Sequence, residues 1–195
     1  MTVKTPHKFK IGLNSPVVLG FTAICLLSQL LRLILPAQTY SAIFSVYRSD
    51  FSLLWIMRLF THVFGHSSWE HLIGNMMYFL VLGPMLEEKY GSLRLIVIIA
   101  VAAVVTGLFN LLFFAGTSTL GASGVVFAFI LLSSITMREG GTIPLTFLLV
   151  ALLYIGQQLL QVFQKDNISQ LSHIVGGAVG TVAGFMLSSG KKKGA

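Results

Sequence analysis

Charge is scarce in this chain. Asp, Glu, Lys and Arg make up 10% of its 195 residues, against about 25% in a typical soluble domain. Acids are the rarest, six against thirteen basic residues. Together with 55% hydrophobic residues and a mean hydropathy of +0.85, this excludes a disordered chain, a coiled coil and an ordinary cytosolic enzyme. Cysteine is nearly absent. A single Cys25 excludes an internal disulfide and a thiolate metal cluster. It sits mid-run in apolar sequence and reads as a small buried hydrophobe. A formal charge of +7 raises nucleic acid as a partner, but the basic residues flank apolar runs in short clusters: Lys4, Lys8 and Lys10, then Lys191, Lys192 and Lys193. That is a membrane topology pattern. The partner it implies is a lipid bilayer, with no nucleic acid.

What the chain does have is long apolar runs. A bilayer core needs about 20 apolar residues per helix, at roughly 1.5 Å of rise each. The chain has room for five to seven such helices and no separate soluble domain. The fold class expected is an all-α integral membrane protein. Helix 1 is read over Pro16 to Leu35; it is too long for a signal-peptide core, and no small-residue cleavage site follows it. Residues 36–68 mix Tyr40, Tyr47, Trp55 and several Phe with Arg48, Asp50 and Arg58, which suits the headgroup layer. This stretch is read as an interfacial loop with short helices. Helix 2 is placed at about Trp69 to Leu86, ending in Glu87-Glu88-Lys89. Helix 3 covers about Leu93 to Ala115, helix 4 about Ala122 to Met137, helix 5 about Ile143 to Phe163 and helix 6 about Ser169 to Leu187. With both termini in the cytoplasm, the inner side holds nine basic residues: Lys4, Lys8, Lys10, Lys89, Arg94, Arg138 and the three tail lysines. The outer side holds four, Arg32, Arg48, Arg58 and Lys165. The bias supports that orientation, and helices 2, 4 and 6 then all descend from the outer face.

Strongly polar residues inside membrane helices are expensive and mark function by default. Helix 2 carries His71 and Asn75, helix 4 carries Ser123, and helix 6 carries His173. Each lies within one or two turns of its helix's outer end, so the four fall at similar depth. A lone transmembrane serine usually bonds its own i−4 carbonyl. Ser123, however, sits in Gly121-Ala122-Ser123-Gly124, and each glycine costs a helix roughly 1 kcal/mol. Small residues let backbones approach closely, and a serine at a helix N-terminus has unpaired N–H groups beside it that can bind an oxyanion. His173 precedes a G-x-x-x-G at Gly176 and Gly180, with Gly184 extending the spacing. Close packing on that face is what would bring His173 to Ser123, where a neutral imidazole can take the hydroxyl proton. Neither Asp50 nor Asp166 is placed inside a helix to orient the imidazole, so the expectation is a dyad. His62, His66 and His71 crowd together with Glu70, and the i,i+4 spacing of His62 and His66 would suit a metal. The H-E-x-x-H pattern is absent. His62 and His66 are read instead as a hydrogen-bonded structural pair closing the outer loop, with no metal and no cofactor. His71 and Asn75 share a helical face and can both donate to an oxyanion near Ser123.

These residues together resemble the rhomboid intramembrane serine proteases, in the minimal six-helix form. The resemblance covers about Arg58 to Leu187. It rests on Arg58, on His62-Val63-Phe64-Gly65-His66 through His71-x-x-x-Asn75, on Glu87 after Gly83, on Gly121-x-Ser123-Gly124, and on His173 with its glycines. It implies a six-transmembrane-helix rhomboid-like bundle in a single domain over residues 1–195, about 16–187 embedded, with an interfacial loop between helices 1 and 2. It implies a multi-pass protein, in a bacterial plasma membrane, with both tails cytoplasmic. Ser123 would be the nucleophile and His173 the general base and acid. His71, Asn75 and the Ser123 N–H would form the oxyanion hole. Arg58 and Glu87 match positions that look structural in the family, and helix 5 would be a lateral gate for the partners, transmembrane protein substrates. Two positions depart from the family pattern: Met57 stands where Trp is frequent, and Phe127 where a Tyr often stacks under the histidine. Phe keeps the ring and loses the hydroxyl.

An inactive rhomboid-like protein, such as a Derlin-type client-binding factor, is the alternative. Retention of both Ser123 and His173 argues against it. A transporter or channel would trace polar residues across the bilayer, whereas these cluster at one depth. No pattern in the sequence specifies an oligomeric state. If the chain hydrolyses peptides without metal, cleavage is expected to survive EDTA and zinc-specific chelators. Loss on chelation, restored by added zinc, would move His62, His66 and His71 into the active site.

Overall fold

The computed structural model describes residues 12–114, 116–136, 143, 145–162 and 167–189. Among them are eight α-helices: α1 (Pro16–Ile34), α2 (Ala37–Phe44), α3 (Leu53–Thr61), α4 (Trp69–Tyr90), α5 (Ser92–Phe113), α6 (Ser123–Thr136), α7 (Leu145–Val162) and α8 (Asn167–Ser189). A 3-10 turn, His62–Phe64, follows α3. The expected all-helical class and the short helices between the first two long ones are both present. Lys4, Lys8, Lys10, Arg138, Lys165, Asp166 and the tail lysines lie outside the described residues.

The surface is that of a membrane protein. Large apolar side chains face outward on the long helices, among them Leu33, Val81, Leu112 and Leu152, while Ser28, Gln29, Thr106 and Asn110 are buried. That inversion needs an apolar solvent around the bundle. Two helices, Pro16–Ile34 and Ser92–Phe113, are long and apolar enough to cross a bilayer on their own composition.

Most helix ends agree with the sequence reading to within two residues. Helix 2 is the exception. The charges Glu87-Glu88-Lys89 were expected to end it, yet α4 continues to Tyr90. Glu87 is buried, and its carboxylate accepts from Val17 N and Val18 N, both at 3.1 Å, and from Ser92 Oγ at 2.7 Å. It thus satisfies two of the N–H groups that the start of α1 leaves unpaired, where Ser15 makes no side-chain cap. A charge read as a stop signal is an internal clasp joining α1, α4 and α5. The stop is Gly91, at φ +83°, whose N–H bonds Glu87 O.

The core is built on α6, most of whose residues are buried. Phe21 of α1, Phe79 of α4 and Phe129 of α6 stack in a row, with centroids 4.4 and 4.9 Å apart. On its other side α6 meets α8. A Cβ placed on Gly176 would strike the Gly124 backbone, and one on Gly180 would strike that of Ala128. One on Gly184 would reach the Ile135 side chain at 3.1 Å. The pairing advances in the same direction on both helices, so they run parallel at backbone contact, as the glycine spacing implied. A smaller cluster, Leu131, Ile135 and Phe147 with Phe127, Val150, Ala151 and Phe185 around it, attaches α7.

Gly176→Val and Gly180→Val are expected to destabilise the bundle by at least the ~1–3 kcal/mol of an overpacked core, read as a lower melting temperature in detergent, and to inactivate any site at the helix tops. Gly184→Ala is expected to be milder, because a side chain and not a backbone faces it. Full stability and activity of Gly176→Val would show that the helices do not meet along this seam.

Candidate active site

The site lies where α6 begins. Gly121 takes φ +133°, a conformation open to glycine and strained for other residues. A Cβ there would also come within 2.8 and 2.9 Å of Cε1 and Nε2 of His71. Its N–H donates to His62 O at 2.9 Å, which pins the segment leading into Ser123. Ser123 opens α6, so the N–H groups of the first turn have no partner within the helix. Gly124 is held against Thr106 of α5, whose Cγ2 would lie 2.8 Å from an added Cβ. The glycines therefore serve two close approaches, one by the His71 ring and one by α5 and α8.

His173 projects from α8 in its seventh position, and its Nε2 lies 2.8 Å from Ser123 Oγ. The two residues are fifty apart in sequence and meet because the parallel seam begins one turn below His173. The Phe127 ring lies 4.7 Å from the imidazole, tilted by 40°; the aromatic support expected under the histidine is there without a hydroxyl. On α4, Ser68 caps the helix by accepting from His71 N at 3.1 Å. One turn further, Asn75 is 7% exposed, and its Nδ2 has no hydrogen-bond partner among the described residues. A buried amide donor left open in this way is costly unless something accepts from it.

His62 and His66 are not bonded to each other, which corrects the expected pair. His62 Nε2 lies 3.0 Å from Ala103 O, and His66 Nδ1 lies 3.2 Å from Phe64 O. Since carbonyls only accept, each ring donates its single proton there, and His62 Nδ1 and His66 Nε2 are left buried without partners among the described residues. The His62 ring ties the loop to α5 and the His66 ring braces the loop internally, while the His66 backbone N–H, donating to Tyr40 Oη at 3.0 Å, ties the loop to α2. The His66 and His71 rings meet edge to face at 5.1 Å. Among the described residues no three potential metal ligands converge.

Arg58 is buried. Its guanidinium donates to Leu54 O at 3.2 Å and to Ser49 Oγ at 2.8 Å, and it lies 4.2 Å over the Tyr47 ring. It thereby folds the α2–α3 connection onto α3. Nearby, Val46 and Thr119 exchange backbone bonds of 2.8 and 3.0 Å, and Asn110 Nδ2 donates to Thr119 Oγ1 at 2.6 Å. That brace joins the outer connection to the segment before Ser123. Sequence reasoning missed Asn110 and Thr119, and it also missed Ser67, whose N–H and Oγ lie 3.5 and 3.1 Å from His71 Nδ1. Only the Ser-Ser pair ahead of α4 hinted at more than a cap.

The fold and this geometry define an integral membrane protein with a serine and a histidine in hydrogen-bond contact inside a helical bundle. The Rhomboid domain model matches residues 54–190, and the chain belongs to the rhomboid family. It is similar to the rhomboid protease GlpG of Haemophilus influenzae, 27% identical over 183 residues, covering 90% of this chain and 93% of that protein. It is also similar to the rhomboid protease GlpG of Serratia proteamaculans, 34% identical over 113 residues, covering 58% of this chain and 40% of that one. The protein of the same name in Salmonella choleraesuis is 40% identical over 73 residues, 37% of this chain and 26% of that one.

The loop histidines lie in the connection between α3 and α4, outside the long helices, and carry a pH signature. Burial pushes both from the usual 6.5 down to about 4. Between those values the unfolded chain binds protons that the folded chain refuses, so their contribution is full above about pH 6.5 and is lost as pH falls toward about 4. The melting temperature in detergent is expected to drop across that window, and His62→Gln with His66→Gln to flatten the drop. A melting temperature unchanged from about pH 7 to about pH 4.5 would mean that neither ring is buried neutral.

Proposed function

We propose that the chain is an intramembrane serine endopeptidase that cleaves peptide bonds in or near transmembrane segments of other membrane proteins. The observation that carries this reading is the 2.8 Å contact between His173 Nε2 and Ser123 Oγ at the start of a buried helix. In the proposed reaction Ser123 Oγ attacks the scissile carbonyl as His173 Nε2 takes its proton. The oxyanion of the tetrahedral intermediate accepts from the N–H at the top of α6, from Asn75 Nδ2 and from His71. His173 then gives its proton to the departing amine, leaving an acyl group on Ser123. Water enters and attacks the acyl carbon as it loses a proton to His173, which returns that proton to Ser123 Oγ as the acyl bond breaks and the new carboxyl departs. The open Asn75 donor supports this reading, because an oxyanion is an acceptor of the kind it lacks.

Six helices (α1, α4, α5, α6, α7 and α8) would cross the membrane as one rhomboid unit, with both termini cytoplasmic and α2 and α3 at the outer interface. A bacterial plasma membrane is the setting proposed, the relatives named above coming from bacteria. Substrate helices would enter beside α7, which among the described residues is attached by the small Phe147 cluster and not by the main core.

Ser123→Ala and His173→Ala are each expected to abolish cleavage of a transmembrane reporter in proteoliposomes while the protein still inserts. A fluorophosphonate probe is expected to label the wild type and not Ser123→Ala. Asn75→Ala is expected to lose about tenfold in kcat, less than the 10²–10³ typical of a single donor, because two other donors remain. Wild-type turnover in either dyad variant would sink the assignment, and an effect of Asn75→Ala on KM alone would make Asn75 a substrate-positioning group.

A further inference from the structure

His71 can serve an oxyanion only if a proton sits on the ring nitrogen that faces Ser123, and the sequence says nothing about which nitrogen that is. Three observations bear on it. The Ser67 backbone N–H donates to His71 Nδ1 at 3.5 Å. An N–H can only donate, so Nδ1 presents its lone pair. The Ser67 Oγ lies 3.1 Å from the same nitrogen, and a hydroxyl rotates to donate wherever a lone pair is offered. In a neutral imidazole the proton then resides on Nε2. The third observation is direction: the Cε1–Nε2 edge of the ring, not Nδ1, faces Gly121, lying 2.8 and 2.9 Å from a Cβ placed there, two residues before Ser123. His71 stands third in α4, and its side chain leans back toward the helix start, where Ser67 waits just before the Ser68 cap.

We propose that Ser67 is a positioning residue for the oxyanion hole: with two donors on Nδ1 it holds His71 as the Nε2–H tautomer and aims that N–H at the carbonyl being attacked. This rests on the protease reading above. The opposite tautomer would donate Nδ1–H to the Ser67 hydroxyl and leave an acceptor facing the developing negative charge, which repels it. Ser67 and Ser68 thus divide two tasks. Ser68 Oγ holds the His71 backbone, while Ser67 holds the His71 ring. Ser67 is exposed, so the fold does not depend on its side chain, and its effect falls on rate.

The test compares Ser67→Ala and Ser67→Val, which remove the hydroxyl, with Ser67→Thr, which keeps it on a side chain shaped like Val. Cleavage is followed in proteoliposomes, with melting temperature measured alongside. The hydroxyl's share of a hydrogen bond of about 1 kcal/mol corresponds to about fivefold in rate. Ser67→Ala and Ser67→Val are expected to lose about threefold to tenfold in kcat, with KM and melting temperature unchanged, and Ser67→Thr to restore the wild-type rate. Rates within twofold of wild type in Ala and Val, an equal loss in Thr, or a change confined to KM or melting temperature would each overturn the role. Asn75→Ala and His71→Ala are measured in the same preparation. If they too keep full kcat, the oxyanion-hole reading fails and takes this inference with it; if they lose rate while the Ser67 variants do not, the inference alone fails.

Discussion

Two backbones in contact organise this molecule. Where Gly176 faces Gly124 and Gly180 faces Ala128, α6 and α8 lie closer than any side chain permits. In an apolar solvent there is no hydrophobic gain from bringing helices together, so close van der Waals packing and interhelical hydrogen bonds must hold them. The seam supplies the first. The Ser123–His173 contact at its upper end supplies one of the second. Because both helices are stiff and parallel, fixing them at Gly176 fixes the separation of their tops, and a displacement of about 1 Å there is enough to break productive geometry.

Around that pair the other elements act as braces on the start of α6. His62 links the segment to α5, its carbonyl accepting from Gly121 N and its ring donating to Ala103 O of α5. Val46 and Asn110 both grip Thr119. Thr106 backs Gly124 from α5, and Phe129 ties α6 through Phe79 to Phe21 on α1. Polar groups are used here where water would otherwise loosen a loop, and apolar stacking is used lower in the bundle. Glu87 extends the same economy to the far end of the fold: one carboxylate satisfies two N–H groups of α1 and the Ser92 hydroxyl, so a buried charge is held by fixed donors in place of water.

Much of this was legible beforehand. A run of apolar residues has one low-energy form in a bilayer, the helix, and a polar residue in such a run carries a cost that needs a reason. Ser123, His173, His71 and Asn75 stood out on that ground, and the G-x-x-x-G spacing pointed to the face on which α8 would pack. Those inferences draw on local chemistry and helical periodicity, which a linear sequence records in full. The end of α4 was misread at Glu87-Glu88-Lys89, because charge alone does not tell whether a carboxylate faces water or another helix, and Gly91, the actual stop, was passed over.

The sequence by itself determined the solvent this protein requires, its helical class, and which polar side chains had to be enclosed. Only the tertiary structure decided what those side chains meet. His62 and His66, one helical turn apart, looked like partners, and each instead bonds a backbone carbonyl, His62 that of Ala103 midway along α5 and His66 that of Phe64 two residues before it, because which carbonyl comes within reach of a ring is set by how the loop is folded against α5. The clasp of Glu87 on Val17 and Val18, the grip of Asn110 on Thr119 and the turn of the His71 ring toward Ser67 are likewise absent from any local pattern. Hydrogen bonds act over about 3 Å and require direction, and both are set by how whole helices dock, after the sequence has settled that they are helices.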